Sequence, residues 1–95
     1  MDRQTRVEAL QRAYADFPNV QRMLAKLITV SFAELQETVE LQLASLERAT
    51  IDIDDWSTAK RAELEDGSQR LYDRLVRLET SVGNAVKNIT VGRPN

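Results

Sequence analysis

Apolar residues recur along this chain at helical intervals almost from end to end. Val7, Leu10, Tyr14 and Phe17 are spaced by three and four, which lines them along one face of a helix. Thr5 and Glu8 have capping-box spacing and Pro18 interrupts the hydrogen-bond ladder, so a short helix over about residues 5–17 is predicted. From Val20 to Ala49 there is neither glycine nor proline. Across that stretch Ile28, Phe32, Leu35, Val39, Leu46, Ala49 and Ile53 keep heptad spacing, with Gln42 as the one polar member of the seam. One helix over about residues 19–49 is expected.

Residues 50–55 break the pattern. Ile51 and Ile53 are β-branched, and Asp52, Asp54 and Asp55 suit the positive start of a following helix, so a turn is predicted there. Beyond Trp56 a second seam runs through Leu64, Leu71, Leu75, Leu78, Val82, Ala85 and Ile89. Asp66-Gly67-Ser68 reads as a helix stop, yet the heptad phase from Leu64 to Leu71 passes through it intact. A single helix over about residues 55–90 is therefore expected, with residues 91–95 fraying around Gly92 and Pro94.

These elements predict one all-α domain over residues 1–95: a long antiparallel, coiled-coil-like hairpin carrying a short N-terminal helix. Pairing positions whose numbers sum to about 105 sets Leu35 near Leu71, Ile28 near Leu75 or Leu78, and Leu24 near Val82. The same register brings Glu34 and Glu37 toward Arg70 and Arg74. Met23 to Ala33 is apolar around most of the helix circumference, so Leu24, Leu27 and Val30 require cover on a second side. The first helix, through Val7, Leu10, Tyr14 and Phe17, is one source of that cover; a partner is the other, and then Leu24, Leu27 and Val30 together with Trp56, Val76 and Val86 form the candidate partner face.

Charge supports a chain that folds back on itself. The net charge is −2, but residues 1–33, 34–66 and 67–95 carry +2, −7 and +3 in turn. A pI near 5.1 speaks against nucleic acid as the main partner. No apolar run approaches the roughly 20 residues of a membrane span, and Met1 to Arg6 lacks a secretory pattern, so an intracellular, cytoplasmic location is expected.

Candidate chemistry is sparse. With no cysteine and no histidine, thiolate and imidazole metal sites and histidine-assisted nucleophiles are excluded. Asp52, Asp54, Asp55 and Glu63 share part of the spacing of a calcium loop. Trp56 takes the place of its fifth ligand and Ser57 that of its essential glycine, which favours helix capping over calcium. Arg70, Arg74 and Arg77 form a stripe suited to internal pairing or to an acidic protein partner. No catalytic residue, metal, cofactor or small-molecule substrate is expected.

The expectation is a non-enzymatic subunit that assembles, with itself or with other proteins, through heptad-patterned helices into an oligomeric bundle. The alternative is a small adaptor that holds an amphipathic helix of a client protein.

Overall fold

A computed structural model describes residues 2–91, and the side chains of residues 2–81. The described residues are helical with no strand: α1 Arg3–Ala13, α2 Pro18–Thr29, α3 Gln36–Ala49 and α4 Thr58–Val91. Single 3-10 segments at Ala33–Leu35 and Thr50–Asp55 precede and follow α3. The turn expected at residues 50–55 is this second segment. As the preserved heptad phase requires, α4 runs unbroken through Gly67 for 34 residues, about 50 Å.

The helix expected over residues 19–49 is two helices. Val30 (φ −67°, ψ 119°) and Phe32 (φ −69°, ψ 132°) are extended, and the chain reverses between them. No glycine or proline causes this. Ile28-Thr29-Val30 is a β-branched run of reduced helix propensity, and the Thr29 hydroxyl donates to the Lys26 carbonyl at 2.9 Å. Arg3, reaching across from α1, donates to the Val30 carbonyl at 2.6 Å and the Leu27 carbonyl at 3.3 Å, which satisfies carbonyls that a continued helix would have used.

Side-chain contacts define the directions of the helices. Gln21 donates to the Gln11 carbonyl while Arg3 reaches Leu27, so α1 and α2 are antiparallel. Arg6 meets Glu40, and Tyr14 meets the Leu46 carbonyl, so α1 and α3 are parallel. Asn19 meets Glu65, Arg22 meets Gln69 and Lys26 pairs with Glu79, so α2 and α4 are parallel. The chain thus runs up, down, up and down, with α1 packed on α2 and α3, and α4 packed on α2.

This arrangement replaces the expected register. Leu24, Leu27 and Val30, assigned from sequence to a partner face, are fully buried within the chain together with Val7, Leu10, Val20 and Met23. The reversal at residues 30–32 is what covers them, because it turns α2 into the centre of the fold rather than half of a rod. Leu35, Val39, Leu46 and Leu75 belong to the same core, as does Leu43, which the seam had omitted. Phe32, Leu64 and Leu71 pack against it half-buried. Ile28 and Leu78, expected in the seam, are 37% and 36% exposed. Val82, Val86 and Ile89 lie outside the residues whose side chains are described.

The helix ends are tied by side chains of other elements. Asp2, not Thr5, caps α1 by accepting the Thr5 amide at 2.7 Å, which holds its carboxyl below the usual range. α2 begins at Phe17-Pro18 without a capping side chain of its own. Glu65 of α4 substitutes for one, its carboxylate accepting the Asn19 and Val20 amides at 2.8 and 3.0 Å. A negative group there also suits the positive end of the helix dipole.

Candidate interaction groove

The α1–α2 and α3–α4 connections meet at an aromatic cluster. Tyr14, Phe17 and Trp56 pack together, Phe17 edge-on to Tyr14 at 5.3 Å and to Trp56 at 6.2 Å between ring centroids. The Tyr14 hydroxyl donates to the Leu46 carbonyl at 2.8 Å. Burial pushes that hydroxyl up to about 12, and the Asp52 charge adds to the effect. Trp56 is half-buried, its Nε1 donating to Asp52 at 3.0 Å, with the Lys60 ammonium 4.7 Å from the ring centre. It is therefore both a packing residue and a wall open to solvent on one side.

From Trp56 a groove of about 510 Å³ runs between α3 and α4. Ala49, Trp56, Leu64 and Leu71 supply its apolar lining, Gly67 part of its floor, and Gln42, Asp52, Lys60, Glu63 and Arg70 its polar lining. It exists because α4 is docked on α2, and closing α4 onto α3 as well would complete a fourth helix–helix interface. Gln42, the single polar residue of the first seam, sits at this gap. At Gly67 an added Cβ would meet only Arg70, at 3.8 Å, so the floor is open above it. Next to Gly67 in sequence, Ser68 is 2% exposed and its hydroxyl has no hydrogen-bond partner.

The charge pairing differs from the expected one. The ion pairs among the described residues are Arg6 with Glu40 at 2.7 Å, Arg6 with Glu47 at 2.8 Å, and Lys26 with Glu79. Glu47 first, then Glu40, holds the Arg6 guanidinium above its ordinary range, and Arg6 in turn lowers Glu47. Glu34, Glu37, Arg70 and Arg74 are exposed and form none of these pairs. The expected register required α3 and α4 to pack along each other, whereas α4 packs on α2.

Of the described residues assigned to a partner face, only Trp56 lines the groove; Val76 is half-buried elsewhere on α4. Leu64 and Leu71 of the seam line it as well. Lys60 had drawn no attention from sequence, while Glu63 had entered only through the calcium-loop spacing and Gly67 only as a candidate helix stop. The usable signal was Gln42, a polar break in an otherwise apolar stripe. Among the described residues no three acidic side chains gather as a metal site would need, and no helix is long and apolar enough to cross a membrane. Comparison with family models, with curated proteins and with solved structures returned no match for this chain.

Proposed function

We propose that this protein is a non-enzymatic interaction subunit whose α3–α4 groove receives an amphipathic helix of another polypeptide chain, building a larger helical bundle. The observation that supports this reading is the groove itself: an open space with mixed apolar and polar lining, lying where a fourth helix–helix interface would otherwise close. An incoming helix placing its i, i+3 and i+4 positions on Leu64, Leu71 and Trp56 would bury surface that the fold leaves wet. The polar residues along the edges would orient it more than hold it, since exposed charge pairs contribute under about 1 kcal/mol each.

The adaptor reading and the assembly reading share this groove and differ in who supplies the helix. A photoreactive phenylalanine in place of Gln42 tests the shared part, with the same group in place of Arg12, on the exposed side of α1, as control. The expected result is a covalent adduct from position 42 alone, mapping to an amphipathic helix and lost when Gly67→Phe fills the groove. Equal labelling from both positions, or none from position 42 in the native source, would overturn the proposal.

A further inference from the structure

The reversal between α2 and α3 interrupts a pattern that runs straight through it. Ile28, Phe32, Leu35 and Val39 keep heptad spacing across residues 30–32, and residues 20–49 contain no glycine or proline. The β-branched run Ile28-Thr29-Val30 weakens a helix there without forbidding it as proline would. In a continuous helix the Leu27 and Val30 carbonyls would accept the amides of Ser31 and Glu34. Here both accept from Arg3 of α1 instead, at 3.3 and 2.6 Å. Arg3 also donates to the Gln36 Oε1, and the Gln36 Nε2 donates to the Phe32 carbonyl at 3.0 Å. Two side chains, one from α1 and one from α3, thus hold a bend that its own residues do not require. With the chain reversed, Ile28 is left 37% exposed and Phe32 half-buried.

We infer that the α2–α3 reversal is a hinge latched by Arg3, which on release joins α2 and α3 into one helix and lets two copies of this chain exchange halves. The α1–α2 half of one copy then packs on the α3–α4 half of the other. Such an exchange is a low-cost route to a dimer, because the contacts between halves are kept. Arg6 with Glu40 and Glu47, the Tyr14 hydroxyl with the Leu46 carbonyl, Glu65 on the Asn19 and Val20 amides, and Lys26 with Glu79 all join one half to the other. Each recurs twice in the exchanged pair, now between copies. The change of conformation is confined to residues 30–35, which gain the helical hydrogen bonds that the bend forgoes. Against that gain stands the entropy of association, so high concentration favours the exchange. The residues lining the groove all lie between 42 and 71, within one half. Hinge and groove are therefore independent.

The Lys26–Glu79 ion pair reports directly on the exchange. Isotope-labelled and unlabelled chains are unfolded together, refolded at about 500 μM, separated by size and treated with a carbodiimide, which turns that ion pair into an amide. In the dimer fraction the coupled Lys26 and Glu79 peptides are expected to join labelled to unlabelled chain as well as like to like. In the monomer fraction they join like to like alone. Arg3→Met should raise the dimerisation constant about tenfold, and Ser31→Pro should lower it about tenfold. Proline at 31 suits the bend, because Val30 before it is already extended, and it opposes a helix running through. Gln36→Ala releases the same latch from α3 and should act as Arg3→Met does, which keeps the test decisive if Arg3→Met fails to fold. A dimer in which Lys26 and Glu79 couple only within one copy has formed through a surface and overturns the inference. So does a chain that stays monomeric with either latch residue replaced, or a folded Ser31→Pro variant that dimerises as the parent does.

Discussion

Replacing Tyr14 by phenylalanine removes one oxygen and leaves the ring in place. That hydroxyl donates to the Leu46 carbonyl at 2.8 Å inside the core, where Tyr14 has no exposed surface. A net hydrogen bond contributes about 1 kcal/mol, and a buried carbonyl left without its donor raises the cost toward about 2 kcal/mol. The aromatic contacts with Phe17 and Trp56 survive, so no cavity term adds to it. For a domain of this size the loss should lower Tm by roughly 6–12 °C. Urea unfolding followed by Trp56 fluorescence and by far-ultraviolet circular dichroism measures it, and the denaturant slope should stay unchanged. The same hydroxyl supplies an internal check. Its ionisation is raised from 10.0 to about 12 in the folded chain, so its contribution is complete below pH 10 and is lost as pH rises from 10 to 12. That interval corresponds to about 3 kcal/mol at most, and Tyr14→Phe should lack this portion of the alkaline loss. A variant as stable as the parent at pH 7, or one with the same alkaline loss, would refute the reasoning.

Further predictions concern the helix ends, the core and the groove. Glu65→Ala removes the acceptor of two α2 amides and should destabilise by about 1–2 kcal/mol, read by urea midpoint, whereas Glu63→Ala, two residues earlier on α4, should change little. Leu24→Ala should cost about 2–5 kcal/mol and Leu41→Ala under about 0.5 kcal/mol, because the first is fully buried and the second is 64% exposed; equal effects would contradict the burial of α2. Glu47 has a lowered carboxyl in the folded chain, so its contribution is present above its ordinary value of 4.5 and is lost as pH falls below it. Exposure of that side chain keeps the effect under about 1 kcal/mol, and Glu47→Gln should flatten the corresponding acid limb of stability against pH. Gly67→Ala should stabilise by about 0.5–1 kcal/mol, since the position is helical and the added methyl meets only Arg70.

Spacing alone made the helical class legible, along with the interruption at Pro18, the turn at residues 50–55 and the passage of α4 through Gly67. It also identified Leu35, Val39, Leu46 and Leu75 as core residues. These are properties of one face of one helix, and heptad periodicity reports them directly. What a face packs against is a different quantity, set by contacts between residues distant in sequence. Leu24, Leu27 and Val30 demanded cover on a second side, and the sequence left the first helix and a partner chain both open as its source. The fold supplies it internally by reversing at residues 30–32, where no glycine or proline marks a break and where Arg3, some 27 positions upstream of Val30, satisfies the freed carbonyls. Glu65 capping α2 across 46 residues is equally invisible to local pattern. With α2 at the centre, α4 docks there and not on α3, and the groove lined by Trp56, Leu64 and Leu71 follows. Periodicity along the chain thus identified many of the residues that avoid water, though not Leu43, and it included the exposed Ile28 and Leu78. Only the competition among helices for one central partner decided where they do so, and which part of the apolar surface remained open.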